Sequence, residues 1–352
     1  MHLLDNPTYR DDVAALAALD LGWDRLADSS IVLSGASGMI GSFLVDVVMK
    51  KNLDDQLNCT ITALARNRAG LEERFAPYYQ DKNLVIMKAD LVSDSLDIPR
   101  GDYVIHAASN THPVAYATDP IGTITTNVQG TFAMLELAVR TQARRMCFLS
   151  TVEIYGDNRG NLESFAEHDM GYIDCNTLRA GYPESKRTGE ALCQAFRAHH
   201  GLDVVIARLP RVYGPTMKLT DTKALSQFLL KAVGGEDIVL KSAGHQHYSY
   251  LHVADSVSGL LTCLLSGEAG QAYNIAHRSG DIVLKDLAGL VAASVGREVV
   301  FELPSEVEQR GFSAADKAVM DGSKIAALGW SPLYDIPQGI ERTIMILKDI
   351  VA

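Results

Sequence analysis

Hydrophobic and polar positions follow two alternating rhythms along the first two-thirds of the chain. Ile31–Leu33 is a short apolar run read as a buried strand, and Phe43, Leu44, Val47 and Val48 then recur at helical spacing to about Lys50. The rhythm predicts further strands at Thr60–Ala65, Leu84–Met87, Tyr103–His106, Met146–Ser150 and Val204–Leu209. It predicts helices near Leu71–Tyr79 and over Ile121–Thr141 and Thr177–His200. Strands separated by helices build right-handed βαβ units on a parallel sheet, so the expected class is α/β with a doubly wound parallel sheet. After Gly214-Pro215 the rhythm loosens into shorter strands and helices. That change predicts a smaller α/β C-terminal lobe, with the chain crossing back between lobes. Met1 to Asp28 reads as a short acidic helix with Val13, Leu16, Leu19 and Leu21 as its apolar stripe. The expected division is a helical extension over 1–29, a first domain over 30–210 and mainly the second lobe over 211–352.

Composition narrows the classes. The 352 residues are 47% hydrophobic and 21% charged, as in a globular protein with a large core. Thirty-two Lys and Arg against 43 Asp and Glu give a net charge of −11, which repels polyphosphate and argues against a nucleic-acid partner. No run approaches the roughly 18 apolar residues of a membrane span, so no membrane partner is expected. The N-terminal stretch lacks the basic start and apolar segment of a secretory signal. The five cysteines, Cys59, Cys147, Cys175, Cys193 and Cys263, are odd in number and form no CxxC pair. Reduced structural thiols inside apolar or helical stretches are expected, and with them a cytoplasmic location. His245-Gln-His247 has no third ligand cluster nearby, and no metal is expected.

Gly35-Ala-Ser-Gly38-Met-Ile-Gly41 follows the first strand and opens a helix. Glycines there let backbone N–H groups and a helix N-terminus approach a pyrophosphate, which points to a Rossmann-type dinucleotide site. The alternative is a tight strand-to-helix turn with no ligand. Asp90 follows the third strand and is placed to accept from an adenine amino group. Arg66 lies just beyond the second strand, where a carboxylate would hold the ribose hydroxyl of NAD. Arg66 and Arg68 also suit the extra phosphate of NADP, and both cofactors stay open.

Tyr182-Pro-Glu-Ser-Lys186 puts a phenol and an ammonium one helical turn apart. A neighbouring ammonium favours phenolate, so Lys186 is expected to pull Tyr182 down from its usual pKa of about 10. A phenolate removes a hydroxyl proton while a hydride leaves for a nicotinamide. Ser150 and Thr151 end the fifth strand, on the side where ligands of open parallel sheets bind, and Glu153 follows as a candidate acid or base.

The order of these pieces resembles the extended short-chain dehydrogenase/reductase family, in its branch of NAD(P)-dependent nucleotide-sugar epimerases, dehydratases and decarboxylases. The likeness spans about Ser30 to Leu347 and includes His106-Ala-Ala-Ser109, Asn127, Ser150-Thr151-Val-Glu153-Ile-Tyr155-Gly156, Arg208-Leu-Pro-Arg-Val-Tyr-Gly214-Pro215 and His252-Val-Ala-Asp255. The resemblance implies a Rossmann domain carrying the catalytic residues, a C-terminal substrate-binding lobe and bound NAD that is regenerated. It assigns Gly35, Ser37, Gly38, Met39, Ile40, Gly41, Arg66, Asp90, Leu91, Ala107, Ala108, Asn127, Tyr182 and Lys186 to the cofactor. It assigns catalysis to Thr151, Glu153, Tyr182 and Lys186, through a 4-keto sugar. A homodimer formed by the two long helices is also implied.

Thr-x-Glu at 151–153 resembles the 4,6-dehydratases and the UDP-glucuronate decarboxylases more than the 4-epimerases. The dTDP-glucose dehydratases carry an Asp acid where this chain has Val152, which cannot donate a proton. Arg179-Ala-Gly-Tyr182 resembles the Arg-x-x-Tyr of UDP-glucuronate decarboxylases, where Arg179 would hold the substrate carboxylate. The chain departs from the family twice: Arg211 replaces an Asn that meets the substrate phosphate, and Tyr248 replaces a nucleotide-binding Arg. Arg211 is then expected at the pyrophosphate and Tyr248 on a base or ribose, with the nucleotide left open.

Overall fold

The computed structural model describes residues 2–111, 116, 118–160, 162–304 and 315–351. Its main sheet has seven parallel strands: β1 (Ser30–Ser34), β2 (Thr60–Ala65), β3 (Leu84–Lys88), β4 (Tyr103–His106), β5 (Arg145–Thr151), β6 (Val204–Leu209) and β10 (Ala272–Asn274). Their order is β10-β6-β5-β4-β1-β2-β3, which reverses direction beside β1. A doubly wound sheet of this kind opens a crevice at the carboxyl ends of its strands at that reversal.

Helices cover both faces. Helix α2 (Met39–Asp55) buries Phe43, Leu44, Val47 and Val48 on one face, beside α7 (Val253–Ser266) with Val257, Leu260 and Leu261. Helices α4 (Pro120–Arg140) and α5 (Gly181–His200) pack together on the other, burying Met134, Leu135, Ala138, Cys193 and Phe196. No helix among the described residues is long and apolar enough to cross a membrane.

Four sequence expectations need correction. The helix foreseen over the first 28 residues covers only Pro7–Ala17, with 3-10 turns at Leu3–Asp5 and Trp23–Leu26, so Leu19 and Leu21 lie beyond it. The helix foreseen over Leu71–Tyr79 is α3 (Arg68–Arg74), followed by a separate 3-10 turn at Ala76–Tyr78. Pro77 explains the break, because it disfavours a helical residue before it. The helix foreseen from Thr177 starts at Gly181, after a 3-10 turn at Leu178–Ala180. An earlier start would put Pro183 in the helix interior, where its ring meets the carbonyl of Arg179; in the first turn it costs nothing. Cys175 is exposed, whereas Cys59, Cys147, Cys193 and Cys263 are buried as foreseen.

After β6 the chain leaves the main sheet. β7 (Arg211–Tyr213), β9 (His247–His252), β11 (Asp281–Val283) and β13 (Lys317–Ala318) form a second sheet, with β7, β11 and β13 all paired to β9. β8 (Ile238–Leu240) and β12 (Val299–Phe301) form a small third one. A separate core gathers here, with Phe228 and Leu229 of α6 (Ala224–Val233), Leu287 and Val291 of α8 (Leu284–Ser294), and Ile340 and Ile344 near the C-terminus.

The N-terminal helix α1 (Pro7–Ala17) is capped by Asn6, whose Oδ1 accepts from Tyr9 N at 2.9 Å. Tyr9 donates to Asp46 of α2, which Arg74 of α3 also engages. On the far side, Asn6 donates to Asp349 at 2.7 Å, and Asp12 meets Arg342 and Tyr334. The extension thus joins the first helices of the main sheet to the last helix of the chain, α10 (Ile336–Val351), which follows the short α9 (Ser323–Ala326).

Candidate active site

The glycine loop makes a cradle that side chains would fill. Gly35 has φ +74°, and a Cβ there would lie 2.7 Å from the Ala107 and Ala108 backbone. A Cβ on Gly41 would lie 2.4 Å from the Gly35 carbonyl oxygen. Gly38 N-caps the 17-residue α2, so the free N–H groups and positive end of that helix face the same space. Ser37 is exposed, while Met39 and Ile40 are partly buried. This arrangement fits a dinucleotide's pyrophosphate on geometry alone.

The neighbouring strand ends carry the other candidates. Arg66, beyond β2, is exposed with Nη2 at 3.5 Å from Asn110 Oδ1, and Arg68 pairs on the surface with Glu72 at 2.7 Å. Asp90 follows β3 and accepts from Val92 N at 3.0 Å; Leu91 packs near Gly130 of α4. Asn127 is buried, accepts from Ser109 Oγ at 2.7 Å and donates to Ser185 Oγ at 2.8 Å.

β5 delivers Thr151 at its carboxyl end, and its Oγ1 accepts from Glu153 N at 3.3 Å to open a tight turn over Val152–Tyr155. Ser150 Oγ is buried and has no hydrogen-bond partner among the described residues. Tyr182 and Lys186 lie one turn apart at the start of α5, both buried. Lys186 Nζ donates to the Leu149 carbonyl at 2.9 Å. Burial lowers Lys186 to about 8. Burial also raises Tyr182, and the Glu153 charge adds to that. The chief groups working the other way are Thr151, Arg179 and Tyr116, not Lys186 as the spacing suggested.

Glu153 and Arg179 come together as an ion pair, with Nη2 at 2.6 Å from Oε2. Arg179 Nε and Nη1 are buried and have no partner among the described residues. Sequence reading missed Tyr116, whose ring stacks on Tyr182 at 4.8 Å and lies under the Arg179 guanidinium at 4.6 Å. Tyr116 belongs to no periodic stretch or motif, so no local signal marks it.

Arg211 and Tyr248 meet across β7 and β9. The Arg211 guanidinium stacks on the Tyr248 ring at 3.3 Å, and Nη1 is buried without a partner among the described residues. Tyr248 donates to the Ala315 carbonyl at 2.8 Å. One face of the tyrosine is thereby covered by arginine rather than left for a base.

Arg208 ties two of the candidate parts together. It pairs with Glu190 of α5 through Nε at 3.0 Å and Nη2 at 2.7 Å, and its Nη1 reaches the Tyr155 hydroxyl at 2.9 Å. The helix carrying Tyr182 is so tied to the turn carrying Thr151 and Glu153.

A glycine cradle at a helix start, beside a Thr-Tyr-Lys cluster at the strand ends, defines a Rossmann-type enzyme of the short-chain dehydrogenase kind. Residues 31–276 match the model of the NAD dependent epimerase/dehydratase family, and the chain belongs to that family. It is 30% identical over 314 residues to UDP-glucuronic acid decarboxylase 3 of Arabidopsis thaliana, covering 88% of this chain and 86% of that one. It is 29% identical over 317 residues to UDP-glucuronic acid decarboxylase 1 of Xenopus tropicalis, covering 89% and 71%. Among solved structures, the dTDP-glucose 4,6-dehydratase DesIV of Streptomyces venezuelae, with NAD and TYD bound, has a TM-score of 0.77 at 25% identity, covering 91% and 97%. The UDP-glucose 4-epimerase of Thermotoga maritima shares the fold, with a TM-score of 0.78 at 20% identity, covering 92% and 100%.

Proposed function

We propose that this NAD-dependent nucleotide-sugar enzyme acts on an acidic sugar and removes its carboxyl group as CO2, in the manner of its decarboxylase relatives. The observation that carries the reading is a pair of arginines with unfilled, buried donors: Arg179 beside Tyr182, and Arg211 on the second sheet. Buried guanidinium groups call for anions, since an unpaired buried donor is costly. Arg211 suits the diphosphate, with Tyr248 as its support, and Arg179 suits a sugar carboxylate.

The roles of the chain's residues follow. Gly35, Gly38 and Gly41 seat the pyrophosphate, with Ser37, Met39 and Ile40 around it; Asp90, Leu91 and Arg66 face the adenosine. Ala107, Ala108 and Asn127 line the floor. Held in that cradle, NAD would supply a reversible hydride acceptor beside the sugar. Tyr182, as phenolate, accepts the proton of the sugar 4-OH, and Thr151 hydrogen-bonds the same oxygen; the positive charge of the bound nicotinamide would favour that phenolate against the burial that otherwise keeps the phenol protonated. The resulting 4-ketone makes the C5 carboxylate a β-keto acid, which loses CO2 readily. Glu153 keeps Arg179 aimed at that carboxylate. The second lobe, which takes most of 211–352 apart from α7 and β10 on the main sheet, serves the substrate. The same reading pairs two copies through α4 and α5, and α4 exposes Ile121, Ile124 and Phe132. Five free cysteines suit a cytoplasmic setting.

The test is mass spectrometry after incubation with NAD and UDP-glucuronate, alongside UDP-, dTDP-, GDP- and CDP-linked neutral hexoses. Loss of CO2 from the acidic sugar is expected. Loss of water from a neutral hexose, or a new isomer resolved by chromatography at unchanged mass, would overturn the decarboxylation.

A further inference from the structure

His106 ends β4 and is fully buried, yet it belongs to none of the steps above. Both ring nitrogens are engaged: Nδ1 lies 2.7 Å from Ser34 Oγ, and Nε2 lies 3.2 Å from Thr131 Oγ1. The directions of these bonds are fixed by their outer ends. Thr131 Oγ1 faces the Asn127 carbonyl at 2.5 Å, which only accepts, so the threonine hydroxyl donates there and takes a proton from His106 Nε2. Nδ1 of the neutral ring is then the acceptor, and Ser34 donates to it. Ser34 Oγ in turn accepts from Ala108 N at 3.3 Å. One ordered chain thus runs from the Ala108 amide through Ser34, His106 and Thr131 to Asn127. Burial, with the charge of Lys186, lowers His106 to about 3, so the ring stays neutral, as this order requires.

The two ends of the chain matter. Ala107 and Ala108 are the backbone against which Gly35 closes. Asn127 continues through its side chain to Ser185, whose hydroxyl donates to the Tyr182 carbonyl at 2.8 Å. We propose that His106 is a positioning residue that fixes the floor of the cofactor cradle and couples it to the start of the catalytic helix. The inference rests on the cofactor site and not on the identity of the sugar.

The test is calorimetric titration with NAD of the full chain freed of copurified cofactor, with melting temperature as the control. His106→Leu removes both hydrogen bonds and is expected to weaken NAD about tenfold or more. His106→Gln keeps one donor and one acceptor and is expected to restore most of that affinity. Thr131→Val cuts the chain at its next link without touching the histidine and should weaken NAD less, in the same direction. It decides the matter alone if His106→Leu does not fold. Native NAD affinity in the foldable variants would overturn the proposal. So would a loss that follows melting temperature in all three variants, glutamine included.

Discussion

Arg208 and Arg211 stand three residues apart, and their surroundings are opposite. Arg208 is next to last in β6, with its guanidinium filled by Glu190, Tyr155 and the Glu167 carbonyl. Arg211 opens β7 with a tyrosine ring beneath it and a buried donor that meets nothing among the described residues. The chain crosses between them from the main sheet to the second sheet. A filled arginine holds protein parts to each other; an unfilled one is what the proposed reading assigns to a ligand. Arg179 lies between these cases, with one donor on Glu153 and two without partners.

Substitution should separate the two ends of this comparison. Arg208→Met leaves the partly buried Glu190 and the Tyr155 hydroxyl without their partner, and a loss of about 2–4 kcal/mol of stability is expected in denaturant unfolding. A small loss would mean that Arg208 is not the tie described. Arg211→Met gives up its stack on Tyr248 but no ion pair among the described residues, so stability should fall by only about 1 kcal/mol. Nucleoside diphosphate affinity should instead fall about 10- to 100-fold, the range of one or two hydrogen bonds to a charged group. Unchanged affinity for every diphosphate tried would remove Arg211 from the substrate site.

A smaller effect concerns a buried lysine. Lys186, lowered to about 8, keeps its ammonium below that pH and loses it above. Turnover should therefore decline on an alkaline limb near pH 8. Stability should move the other way. An unfolded lysine titrates near 10.4, so between about 8 and 10.4 the unfolded chain binds more protons, and this group's contribution to stability rises with pH. A limb that stays in place in a Lys186→Arg protein would assign it to another group.

What was legible in the sequence was local. Gly35-x-x-Gly38-x-x-Gly41 and Tyr182-x-x-x-Lys186 are spacings within one turn or one helix, and strand and helix periods placed both at the carboxyl edge of the sheet. The departures at 211 and 248 were visible, but not their contact. Parallel pairing of β7 with β9 sets Arg211 opposite Tyr250, and Tyr248 projects on the same face two residues away. That register is a long-range fact. The Glu153–Arg179 pair and the Tyr116 stack also join segments distant in sequence, and no periodicity announces them. Even the Tyr–Lys spacing misled on electrostatics, because burial and the Glu153 charge raise Tyr182 and the groups that oppose them are Thr151, Arg179 and Tyr116.

The central claim is that the cleft reads two separate negative charges. The most direct measurement compares UDP-glucuronate with UDP-glucose on NAD-loaded protein, in a Tyr182→Phe background that prevents turnover. The acidic sugar should bind about tenfold tighter or more, and Arg179→Met should erase the difference. Equal binding of the two sugars would contradict the account.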